Sequence, residues 1–169
     1  MPGLTRLLTS VAALAIAASI AAAPRPGTAQ SEPKPADDAP AAFNPMMGAL
    51  MHMFVQPRHA KLGLAGREAN WPLTSYELKE LQRSLAQISA AIPRWKGLPV
   101  PDLFDAALTE PLAALDGAVK AGDARGFAAA YEQLTAGCNA CHATTDHMFV
   151  VLRAPEVSDF PDQEFKSRR

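Results

Sequence analysis

Only two cysteines, Cys138 and Cys141, occur in 169 residues, so no disulfide framework can staple this chain. Four histidines are present, and no second Cys/His pair stands at ligand spacing, so a four-ligand zinc site is not completed. Basic residues number 16 and acidic residues 17. Without a basic excess, nucleic acid is not an expected partner. The one long apolar run, Leu7 to Ala23, is short for a membrane span and is followed by Pro24, Pro26 and Gly27, so no span is expected in the mature chain. No internal repeat is visible. No βαβ pattern surrounds the cysteines, as a thioredoxin-like dithiol would require. No acid–base pair stands beside them, so nothing points to substrate turnover and the chain does not read as an enzyme.

What is present begins with an export signal. Arg6 gives a modest positive start, the alanine-rich run follows, and small residues around Ala21, Ala23 and Ala29 offer cleavage sites. Pro24 disfavours cutting after Ala23, so residues 1–29 are read as the signal peptide and the mature chain as periplasmic. Its removal takes Arg6 and Arg25 from the 16 basic residues and leaves 14 against 17 acidic ones, mildly acidic. Residues 30–43, rich in Pro, Ala, Asp and Glu, read as a disordered linker. The remainder is one domain's worth of chain.

The stretch with chemistry in it is Cys138-Asn139-Ala140-Cys141-His142. Two thiols three residues apart, followed at once by an imidazole, is the attachment pattern of a c-type haem. Each thiol adds to one vinyl group, the two-residue spacer lets both sulfurs reach one ring edge, and His142 can supply an axial nitrogen. A disulfide, a redox dithiol, a zinc site and chance are the competing readings. The export signal and the helical context favour haem.

That context is four amphipathic helices. The first runs from an Asn44-Pro45 cap to about Ala65, with Met47, Leu50, Met51 and Phe54 on one face and Pro57 bending it. The second follows Asn70, carries Leu78, Leu81, Leu85, Ile88 and Ile92, and stops at Pro93. Arg94 to Pro101 reads as a loop with no room for a strand pair. The third is capped by Asp102, lined by Phe104, Leu108, Leu112, Leu115 and Val119, and kinked at Pro111. Gly122 closes it and Asp123 caps the fourth, where Phe127, Tyr131, Leu134, Cys138 and Cys141 continue one face. The thiols therefore point where a cofactor would be buried. The expected fold is all-α, an antiparallel four-helix bundle over residues 44–147, with an extended tail over 148–169 that could fold back over it.

This order of features resembles the cytochrome c prime family, best in the last helix: Ala121-Gly122-Asp123, Phe127, Tyr131, then the Cys138–His142 motif. The resemblance implies one covalent haem c per chain, attached through Cys138 and Cys141, with His142 as proximal iron ligand. It also implies electron transfer with redox partner proteins, or binding of NO or CO, and in many members a homodimer. Thr144, Thr145 and Asp146 depart from the aromatic and basic residues that the family often has after the motif.

The other axial position separates the two roles, because a filled site suits electron transfer and an open one binds gas. Counting turns in an up-down-up-down arrangement places residues 47 to 51 opposite His142. Met51 is the first candidate thioether and Met47 the second, against the alternative that both are core filler. His52 and His59 are rivals that lie off the Met stripe if the first helix is regular. Arg58 and Lys61 could face haem propionates. Trp71 and Trp95 read as packing caps over the ends.

Overall fold

The first described residues enter a continuous helical rod. In this computed structural model, covering residues 46–167, the rod comprises α1 (Met47–Leu50), a π-helical turn (Met51–Val55) and α2 (Gln56–Arg67). The expected export signal, linker and Asn44-Pro45 cap lie outside the described residues. The π turn corrects the regular first helix: the Gln56 N–H reaches back five residues to the Met51 carbonyl. A turn holding one extra residue shifts the inward position from Phe54 to Val55. Phe54 is exposed and Val55 buried, and the inward face continues to His59 and Leu62. The disturbance stands just before Pro57, which has no N–H to offer the preceding turn.

α3 (Trp71–Ala91) starts where the Asn70 side chain accepts the Leu73 N–H at 3.4 Å, with Pro72 in the first turn. It buries the expected leucine stripe, Leu78, Leu81, Leu85 and Ile88. The following segment holds a small antiparallel hairpin, β1 (Arg94–Trp95) and β2 (Leu98–Pro99), where none was expected. Its two central residues, Lys96 at φ 49° and Gly97 at φ 82°, are both left-handed. That is the geometry of the tightest two-residue turn, which needs far less chain than a longer loop.

α4 (Val100–Ala121) begins two residues before Asp102, because Pro101 suits a first helical turn and Asp102 then sits within it. It ends at Gly122 in the left-handed conformation, and Asp123 caps α5 (Ala124–Thr144) by accepting the Arg125 N–H at 3.0 Å.

α4 and α5 are in close contact, and one pair of residues sets how close. Pro111 lies inside α4 and cannot donate to the Ala107 carbonyl four residues back. That oxygen faces α5 at Gly137, where a Cβ would lie 2.4 Å from it. Only glycine admits this approach, and it stands immediately before Cys138.

α2 and α5 run antiparallel, with His59 beside Thr135, Gly63 beside Tyr131 and Gly66 beside Phe127. The main core is an apolar cluster in which Leu62, Leu81, Leu115 and Leu134 are fully buried, each worth about 2 kcal/mol of burial. The chain among the described residues is thus mostly helical, with packed helices and one two-stranded hairpin. No helix among them is long and apolar enough to cross a membrane.

The segment after α5 is held along its whole length. Arg67 donates to the Pro155 and Glu156 carbonyls at 3.0 and 2.8 Å. Phe165 is buried with Leu64 and Ala65, and Asn70 donates to its carbonyl at 3.0 Å.

Candidate functional site

The last turns of α5 carry the motif. Cys138 and Cys141 are half-buried free thiols packed against the main core. Burial, with Cys141 adding its charge, pushes the Cys138 thiol up to about 11, and burial raises Cys141 as well. Both stay protonated at neutral pH, unlike the low-pKa thiols of a redox dithiol. Among the described residues, no three His, Cys, Asp or Glu side chains are grouped so as to hold a metal ion.

α5 ends in a reversal that returns the chain to the motif. Asp146 takes φ 60°, its N–H reaches the Ala143 carbonyl, and the His147 N–H reaches the His142 carbonyl at 2.7 Å. This pair of bonds around a left-handed residue is the Schellman end of a helix. The Val150 N–H then donates to the His147 carbonyl at 2.8 Å and completes the turn.

The returning strand docks on α5 at three bonds. The His142 Nδ1–H donates to the Val150 carbonyl at 2.8 Å. Asn139 holds the Leu152 backbone at two points, its Nδ2 donating to the carbonyl at 3.0 Å and its Oδ1 accepting the N–H at 2.8 Å. The carbonyl fixes the His142 tautomer, and Nε2 has no hydrogen-bond partner among the described residues. Two protonated thiols one helical turn apart, and an imidazole with one nitrogen committed and the other free, are a donor set that fits haem c.

The hairpin packs beside this end. Lys96 donates to the Thr145 carbonyl at 2.9 Å, and the Trp95 ring lies 6.5 Å from that of His147. Trp95 here, and Trp71 against Phe127 at the far end, are half-buried packing groups, as expected.

On the first helical rod, Met47 is buried in the core, and Met51 is half-buried against it. The register gives Met51 its height. His59 is level with Thr135, and Met51 lies eight residues before His59, as His142 lies seven beyond Thr135. Both are displaced in the same direction by about 10 Å, given about 1.5 Å per helical residue.

Of the two histidine rivals, one lies on the surface and the other is engaged in the core. His52 is exposed, its Nδ1 3.0 Å from the Gln56 Oε1. His59 is 3 % exposed, brought inward by the π turn rather than left off the stripe. The Thr135 hydroxyl donates to the Tyr131 carbonyl, so it accepts from the His59 Nε2–H at 2.9 Å. The Tyr131 hydroxyl, 3.1 Å from Nδ1, donates to the His59 carbonyl at 2.8 Å. Burial lowers the His59 pKa to about 4 and drives that of Tyr131 far upward. Both ring nitrogens serve the core.

Arg58 and Lys61 also have partners within the chain. Arg58 bonds Glu77, which is 1 % exposed, at 3.0 Å. Burial acts to lower the Arg58 pKa, but the bond and charge of Glu77 outweigh it and raise the value. The Lys61 ammonium lies 4.6 Å from the centre of the Phe160 ring.

Asn139, Val150 and Leu152 were not singled out as site residues by their sequence. The first occupies a spacer position that any side chain can fill, and the other two act through backbone atoms. No family model, curated protein or solved structure matches the chain.

Proposed function

We propose that this chain is an exported, periplasmic monohaem c-type cytochrome that passes single electrons between redox partner proteins. Its fold would be an antiparallel four-helix bundle with a returning tail. The observation that carries the reading is the Cys138–Cys141–His142 set on the core-facing end of the last helix, with Nδ1 of His142 engaged and Nε2 free. When bound, the haem supplies a one-electron iron couple. Cys138 and Cys141 would hold it covalently, and His142 would supply a nitrogen to the iron. Cys138 and Cys141 pack against the apolar core, and a less polar setting is one of the levers that tune a redox centre.

Met51 would be the candidate to supply a thioether to the iron, since it lies at about the same level along the helices as His142. The resemblance to cytochromes c prime supports the same residues as holders of the group and adds NO or CO binding as the second role.

Intact mass and absorption spectra of the native-host protein test the proposal. One haem of added mass, sharp low-spin bands on reduction and no CO adduct are expected. Met51→Ala should then convert the spectrum to high spin and admit CO. A wild-type protein that binds CO rapidly instead has an open distal side and is the gas-binding alternative. No added mass refutes both.

A further inference from the structure

The motif's spacer residue Asn139 has bonds that attachment of a cofactor does not require. Its amide reads the Leu152 backbone as a neighbouring strand would, donor to carbonyl and acceptor to N–H. Two residues earlier on the same strand stands the Val150 carbonyl that accepts from His142. Val150 itself is partly exposed, so its side chain does not hold the strand there. The next contacts of the strand, at Arg67 and Gly63, lie three residues and more beyond Leu152.

We infer that Asn139 is a positioning residue, which through Leu152 presents the Val150 carbonyl to His142 Nδ1 and so sets the basicity of the proximal imidazole. A carbonyl accepting from Nδ1 makes the ring a stronger donor at Nε2. A stronger donor favours ferric over ferrous iron and lowers the midpoint potential. The tail is thus part of the redox site, and its contribution is made by backbone atoms. The inference rests on the haem reading for the iron; the clamp itself stands without it.

The test uses the full holoprotein with two variants that open the clamp from opposite sides. Asn139→Ala removes both side-chain bonds, and Leu152→Pro removes the N–H that Asn139 receives. Trypsin cleavage after the exposed Arg153, located by mass, should become faster in both, about tenfold in Asn139→Ala, which loses two hydrogen bonds that oppose local opening, and less in Leu152→Pro, which loses one. The midpoint potential should move upward in both, while haem mass and unfolding midpoint stay close to wild type. Faster cleavage with an unmoved potential overturns the positioning role, and so does unchanged cleavage. A wild-type protein with no haem mass refutes the haem reading as well, an outcome told apart by that mass alone.

Discussion

His59 makes stability depend on pH in a window where most side chains are silent. Unfolded, its imidazole takes a proton near the ordinary value of 6.5; folded, burial holds protonation off until about 4. The unfolded chain therefore binds more protons between those values, and the folded state loses stability as pH falls through them. From about pH 7.5 to about pH 5 the loss from this one group is about 2 kcal/mol, at 1.36 kcal/mol per pH unit of difference in protonation. At the upper pH the group is neutral in both states and contributes almost nothing. The assay is urea unfolding of wild type and His59→Gln at both pH values. Glutamine can still donate to the Thr135 hydroxyl and does not titrate. Carboxylates and the other histidines are common to both proteins and cancel in the difference. Wild type should lose about 2 kcal/mol more than the variant on acidification. Equal losses in the two proteins would mean that His59 is not held neutral in the core, and the network with Tyr131 and Thr135 would be wrong.

Gly137→Ala should destabilise by about 1–3 kcal/mol, because its methyl meets the Ala107 carbonyl, and Pro111→Ala should recover part of that loss by restoring a donor to the oxygen; thermal or urea unfolding of the double-mutant cycle measures the coupling. Arg58→Ala should cost about 2 kcal/mol, since Glu77 remains buried without its partner, discounted because Arg58 is itself part-exposed; unfolding midpoints read it, and Arg58→Ala with Glu77→Gln together should recover most of the loss. Replacing both Cys138 and Cys141 by alanine should abolish covalent haem, read as loss of the added mass, and His142→Ala should leave the mass but change the spin state.

The helices were legible because their signals are local and agree with one another. Leu78, Leu81, Leu85 and Ile88 repeat at helical spacing, and Asn70, Pro93, Gly122 and Asp123 mark ends that the backbone obeys. Where a long-range contact decides, the sequence was silent. Pro57 signals a break in the first helix but not that it takes the form of an extra residue in the turn before it, so His59 reads as off the face only for a regular helix. Lys96-Gly97 is not the Asn-Gly or Asp-Gly pair that announces a two-residue turn, so the hairpin was missed. Cys138, Cys141 and His142 stand out in the sequence because the covalent chemistry proposed for them needs those side chains in that order. The clamp from Asn139 was not, since it ends on carbonyls and amides that every residue carries. Pro111 opposite Gly137 could have been suspected: a proline in a helix frees the carbonyl four residues back, and something small must meet it.

The returning tail is moored at Leu152 beside the motif, at Pro155 and Glu156 by Arg67, and at Phe165 against Leu64 at the opposite end. A strand released from Asn139 therefore does not diffuse away. Its covalent link to α5 through residues 145–149, with the holds beyond it, keeps the Val150 carbonyl at a local concentration of order millimolar, so each detachment is answered by rebinding. Cutting the chain after Arg153 would leave Val150 on its short covalent tether to α5 but remove the hold from beyond, so the strand would rebind less readily without becoming a separate molecule.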